Sequence, residues 1–137
     1  MSETRGGHLS GAPALTQYAR ARRAGNLLFL AGVSARQPDN SVTGASRGST
    51  GALEIDIRAQ TEACIENLRA ALEAEGLRLA DVVDVTAFLV SMADYGGFNE
   101  TWNQFFGAPG PTRTTVAVHQ LPDPELAIEL KAIASVR

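Results

Sequence analysis

The sequence predicts an α+β layered domain, one mixed sheet with two helices packed on one of its faces. Three observations predict it. Two stretches carry apolar residues at spacings of three and four, five runs are rich in β-branched and apolar residues, and the elements follow in the order β-β-loop-α-β-α-β-β. At 137 residues, 45% of them hydrophobic and 20% charged, the chain suffices for one core and is read as a single domain over residues 1–137, with a flexible tail over 1–12.

The runs Leu15 to Ala21 and Asn26 to Ala31, separated by Arg22-Arg23-Ala24-Gly25, predict a β-hairpin. From Val33 to Gly51 the chain is dominated by Gly, Ser, Pro, Asp and Asn, which predicts one long loop, and loops of that length in compact domains are commonly functional. Ile57, Thr61, Cys64, Leu68, Ala71 and Leu72 share a helical face, predicting a helix from about Glu54 to Glu75 that stops before Gly76. Cys64 on that stripe reads as a small buried hydrophobe without chemistry.

Val82 to Ser91 is apolar on both faces, as a central strand covered on two sides should be. Asp94 then stands as an N-cap before Tyr95, Phe98, Trp102, Phe105 and Phe106, a helical stripe read as core rather than as a stacking platform. Thr112 to Gln120 and Leu126 to Val136 are the last two strands, joined by Leu121-Pro122-Asp123-Pro124. The sheet face without helices is apolar enough to call for a subunit contact, so a homo-oligomer is expected.

Composition excludes several functions. With 12 Lys+Arg against 15 Asp+Glu, the net charge of -3 leaves no positive excess for a phosphate backbone, and no nucleic-acid partner is expected. One cysteine and two histidines give neither an internal disulfide nor a metal-ligand spacing. The longest apolar stretch falls far short of the roughly 20 residues that span a bilayer, and the polar N-terminus lacks a secretory core, so a cytoplasmic location is expected. Phosphate-loop, dinucleotide and serine-hydrolase motifs are absent.

Chemistry concentrates in the last two strands. Alternation puts Arg113, Thr115, Ala117 and His119 on one face, and the planar fork of Arg113 suits a carboxylate, the alternative being an ordinary salt-bridged arginine at a strand end. Glu129 and Lys131 share the face opposite Leu126, Ile128, Leu130 and Ala132. A partly buried carboxylate there would exchange protons nearer neutrality, whereas a solvated one would not. His119 could act as an acid/base or cap the Pro-rich turn, and the second reading is favoured. Arg20, Arg22 and Arg23 read as a solvated edge, and His8 falls in the polar tail.

A family pattern runs from about Leu15 to Ala134. Tyr18, Gly25-Asn26, Ala31-Gly32, Gln60-Thr61, Glu66-Asn67-Leu68, Asp81-Val82-Val83, Phe98-Asn99, Phe105-Phe106, Pro111-Thr112-Arg113-Thr114, Leu121-Pro122 and Ile128-Glu129-Leu130 resemble the Rid (YjgF-like) imine deaminases. The resemblance implies a chorismate-mutase-like α+β fold with a six-stranded mixed sheet. It also implies a homotrimeric barrel with sites in the clefts between subunits, and hydrolysis of enamines and imines without metal or organic cofactor. It makes Arg113 the carboxylate-binding arginine and Glu129 the residue that handles water and protons. Tyr18, Asn99, Ala31, Gly32 and Thr115 are placed in the substrate pocket. Ala31 stands where many members that act on small 2-imino acids carry Ser, and Thr115 where they often carry Cys. Both departures weigh against a general 2-iminopropanoate activity.

Within the family, Ser34-Ala35-Arg36-Gln37-Pro38-Asp39-Asn40, the Gly-rich loop after it and the stretch from Gly110 to Pro122 look like the 2-aminomuconate deaminases. A dicarboxylate needs a second cation, and Arg36 is the first choice, with Lys131 and His119 in reserve. The other readings are a broad-range 2-imino acid deaminase and a trimeric carboxylate-binding module without turnover. The ribonuclease label attached to the family conflicts with the acidic charge balance.

Overall fold

The computed structural model describes residues 16–136; the expected tail over 1–12 with its His8, and Leu15 at the head of the first expected strand, lie outside the described residues. Strands β1 (Ala21–Ala24) and β2 (Leu27–Leu30) pair antiparallel around Gly25-Asn26. Gly25 has φ 60°, the left-handed value wanted at the first central position of a two-residue hairpin turn. The hairpin is therefore present but shifted from its expected place. A two-residue turn frees Arg22 to Ala24, expected in the turn, to pair with Phe29, Leu28 and Leu27.

The expected long loop from Val33 to Gly51 includes one strand of a small hairpin, β3 (Ala45–Arg47), whose partner β4 (Leu53–Ile55) follows the loop. Gly48 and Gly51 close its turn, the Gly51 N–H donating to the Gly48 carbonyl at 2.9 Å. Because β4 takes up Glu54 and Ile55, helix α1 (Ile57–Glu73) starts later than expected, at an Asp56 cap whose carboxylate accepts from the Ala59 N–H at 3.0 Å.

Strand β5 (Val82–Leu89) follows, then helix α2 (Tyr95–Phe105), β6 (Thr112–Ala117) and β7 (Ile128–Ser135). Asp94 precedes α2 without capping it through its side chain, because it already lies in a helical turn with φ -85° and ψ -3°. The extended backbone that capping requires belongs to Ser91, whose hydroxyl accepts from the Ala93 N–H at 3.1 Å.

The main sheet has the order β1-β2-β7-β5-β6, with β5 and β6 parallel and the other neighbours antiparallel. It has five strands rather than the six implied by the resemblance, since β3 and β4 pair only with each other. Helices α1 and α2 cover one face. There, Leu30, Val85, Leu89, Ile128 and Leu130 meet Ile65, Leu68 and Phe98 in one apolar core. The register breaks between Val82 and Asp84. The break brings Val82 onto the helix face with Val85, Ala87 and Leu89 and leaves Val83 42% exposed, where strict alternation would have grouped Val83 with them. The opposite face carries Leu27, Phe29 and Val116, all more than a third exposed. Among the described residues no helix is long and apolar enough to cross a membrane.

Candidate active site

On β6 the side chains alternate as expected. Thr112 faces away from the helices and its hydroxyl donates to Asp84 Oδ1 at 2.7 Å, while Arg113 turns toward α2. Tyr95, Phe98, Asn99 and Trp102 occupy one stripe of α2, at spacings of three and four. That stripe receives the guanidinium. Phe98 and Trp102 lie 4.8 and 4.9 Å from its central carbon and Tyr95 lies at 5.8 Å. Asn99 Oδ1 accepts from Arg113 Nη2 at 2.8 Å, with the Tyr95 hydroxyl at 3.4 Å from the same nitrogen. The aromatic stripe is thus core and platform at once: Phe98 and Trp102 are buried and also present ring faces to a cation.

Held this way, the fork has a fixed plane before any ligand arrives. Both of these side-chain hydrogen bonds of Arg113 use Nη2, so the N–H groups of Nη1 and Nε are left to meet a carboxylate. Two residues further along the same face is Thr115, whose hydroxyl is buried without a hydrogen-bond partner among the described residues. Arg113, Asn99 and Thr115 form a cationic half-site.

Glu129 belongs to a different place. It pairs with Phe88 on β5, and Phe88 pairs with Val116 on β6, which puts Glu129 on the face away from the helices. Arg113 shares its row with Val85 and Ala132 on the helix face. Two strand spacings and about three residues of rise separate them, about 10 Å each way, and the sheet stands between. One chain does not bring these two groups together.

Gly32 completes the acidic half-site. A Cβ at residue 32 would overlap the Glu129 carboxylate oxygen and push that flexible end aside, so glycine lets the carboxylate keep its place. We expect Gly32→Ala to cut any Glu129-dependent turnover by about tenfold or more through displaced geometry. Gly48→Ala, where an added Cβ meets nothing within 4 Å, should leave turnover unchanged. Ala31 precedes Gly32 and its N–H donates to the Arg20 carbonyl at 2.9 Å, which brings the stretch with the exposed Tyr18 alongside.

Burial raises the Glu129 carboxyl above the ordinary glutamate value. The folded chain therefore holds that proton more tightly than the unfolded chain. The stabilisation is full below the ordinary value and is lost as pH rises through the raised one. Glu129→Gln, neutral throughout, should match the wild-type Tm in acid and exceed it at alkaline pH. Thermal melts that stay parallel across that range would contradict the burial of this charge.

The remaining sequence candidates lie apart. Lys131 shares the face of Glu129, but its ammonium donates to the Leu30 carbonyl at 2.7 Å and sits 6.0 Å from the Phe29 ring. His119 is exposed beyond the end of β6. Arg36 lies on the loop leaving Gly32, with Nη1 on Asn40 Oδ1 at 2.5 Å. Sequence reasoning missed the side of α1 that grips this region: Gln60, Cys64 and Asn67 all hydrogen-bond to the backbone that carries the acidic half-site. Their spacing of four and three was the available signal.

The two-layer fold defines a class, small α+β proteins, here with an arginine backed by aromatic rings on one sheet face and a half-buried carboxylate on the other. The chain belongs to the family described as Endoribonuclease L-PSP, whose model matches residues 10–136. The RutC family protein PH0854 of Pyrococcus horikoshii is 39% identical over 117 residues, 85% of either chain. A 2-iminobutanoate/2-iminopropanoate deaminase of Salmonella typhimurium is 39% identical over 88 residues, 62% of this chain and 68% of that protein. Among solved structures, that of E. coli TdcF with bound serine superposes with a TM-score of 0.77 at 28% identity, covering 94% of this chain and 95% of that one.

Proposed function

We propose that this protein is a deaminase of imines and enamines that bear a carboxylate, working without a cofactor as a homotrimer whose sites each join the Arg113 half of one copy to the Glu129 half of another. The observation that carries this reading is the placement of the two halves on opposite faces of one sheet. A clamp and a proton carrier so divided serve one substrate only when a second copy docks. The apolar side chains left open beside Glu129 favour such docking. The names of the Salmonella relative and of the serine-bound TdcF structure support a small amino-acid-like carboxylate.

In the reaction, Arg113 takes the carboxylate of a 2-imino acid, an enamine first having tautomerised to its imine. Glu129 accepts a proton as water adds to the C=N carbon and delivers it to the imine nitrogen, giving a neutral carbinolamine. The C–N bond then breaks as the C–O bond becomes a carbonyl. Glu129 takes the hydroxyl proton and passes it to the leaving nitrogen, and the products are a 2-oxo acid and ammonia. A carboxyl raised by burial suits both directions of transfer near neutrality.

Among substrates the general 2-imino acids come first, on the strength of the Salmonella relative's name. A second reading, 2-aminomuconate, is favoured by one feature: Arg36 rides on a loop whose backbone Asn67 pins at the Ser34 and Arg36 carbonyls, close in sequence to Gly32. Ammonia release from freshly generated 2-iminopropanoate and 2-aminomuconate, run in parallel, tests both. Preference for the first makes the protein a general scavenger of imines. Preference for the second, reduced several-fold in Arg36→Ala, makes Arg36 the second clamp. Tight binding of either product with no turnover would replace catalysis by a carboxylate-binding role.

A further inference from the structure

Helix α1 presses an apolar stripe into the core, yet three side chains on that side are polar or hold a polar bond. Gln60, fully buried, donates from Nε2 to the Glu125 carbonyl at 2.9 Å and accepts from the Ala127 N–H at 2.7 Å. One turn on, the fully buried Cys64 thiol donates to the Val33 carbonyl at 3.3 Å. Asn67 Nδ2 donates to the carbonyls of Ser34 at 2.8 Å and Arg36 at 3.2 Å. The spacing i, i+4, i+7 places all three on one helical face.

Their targets fall in two segments only. One is residues 125–127, which lead into Glu129; the other is residues 33–36, which leave Gly32. These segments are themselves joined, since the Val33 N–H donates to the Leu130 carbonyl at 2.8 Å and the Leu130 N–H to the Val33 carbonyl at 2.9 Å. Gln60 therefore holds one side of the acidic half-site, Asn67 the other, and Cys64 the bridge between them. A buried polar group costs free energy unless paired, so a ladder of them fixes position at some expense in stability.

We propose that Gln60, Cys64 and Asn67 are positioning residues that set the backbone of Gly32 against the Glu129 carboxyl and thereby fix the proton carrier of the reaction proposed above. Burial raises the Cys64 thiol far above its ordinary value, and the nearby Glu129 charge adds to the effect. The thiol therefore stays protonated and keeps donating to Val33. Around Glu129 itself, β5 contributes Phe88, β7 contributes Lys131 two residues on, and α1 contributes Cys64.

The test uses the full chain carrying Cys64→Ala, Cys64→Ser or Asn67→Ala, with folding verified by thermal melts. With 2-iminopropanoate the expected result is a fall in kcat of about tenfold for Cys64→Ala and Asn67→Ala at nearly constant KM, because the Arg113 clamp is untouched. Cys64→Ser, whose hydroxyl can still donate to Val33, should recover most of the loss. The second readout needs no turnover: the Glu129 carboxyl, followed by carbon NMR, should titrate at lower pH in the two Ala variants and return toward wild type in Cys64→Ser. If the wild type hydrolyses no imine, the proposed function fails while the NMR arm still decides the ladder. Folded Ala variants that leave the Glu129 titration unmoved, or that change kcat and KM together, would overturn it.

Discussion

Replacing Arg113 with alanine should lower kcat/KM for a 2-imino acid by about 10²- to 10⁴-fold. Two hydrogen bonds to a charged partner contribute about 1.5–3 kcal/mol each, and about 1.4 kcal/mol is a factor of ten. The fold should survive, since Arg113 is partly exposed on an edge strand and its packing is against rings that are also held by the core. Arg113→Lys is the more telling variant. An ammonium keeps the charge but cannot offer a planar pair of donors, and it loses the fit between Phe98 and Trp102. Lysine should therefore recover only a small part of the activity, mostly in KM. Full recovery would mean that Arg113 acts as a point charge and that its aromatic surroundings are incidental. Asn99→Ala, which releases Nη2 from its anchor, should raise KM by less than Arg113→Ala does. Steady-state kinetics on the three proteins separates these outcomes.

Much of this was legible in the sequence because periodicity reports faces directly. The alternation around Glu129 put it opposite Ile128, Leu130 and Ala132, and the structure keeps those three buried and Glu129 on the other side. The same logic set Arg113 and Thr115 together. Register between distant strands is not written in either pattern. That Val85 aligns with Arg113, and Phe88 with Glu129, depends on pairings across 28 and 41 residues of chain, so the separation of the two groups by the sheet emerged only from the fold. The bulge after Val82 was hidden for a related reason, as an inserted residue resets the alternation that the eye extrapolates. The small hairpin β3–β4 escaped because three-residue strands are too short to show a period, and Leu53-Glu54-Ile55 runs directly into the helical pattern of α1. Cys64 was read as a packing residue and does pack, but its bond to Val33 joins the core to the site.

The division of the site between faces yields the sharpest expected result, restoration of activity by mixing two inactive proteins. Arg113→Ala keeps a sound Glu129 half, and Glu129→Gln keeps a sound Arg113 half. Each alone should be reduced by two orders of magnitude or more, since neither clamp nor proton carrier is replaced. When both are co-expressed and assemble at random in a closed ring, a site is intact if its arginine comes from one variant and its glutamate from the other. With equal amounts that happens in about a quarter of the sites, so activity should return to about a quarter of wild type. The double variant, expressed as one chain and mixed with wild type, supplies the control, because it can only dilute sound sites. If a chain used its own Arg113 and Glu129 together, the mixture of single variants would stay inactive at every ratio, since each copy would hold one broken half. Activity that rises on mixing and peaks near equal amounts therefore tests the shared site without any structure of the assembly.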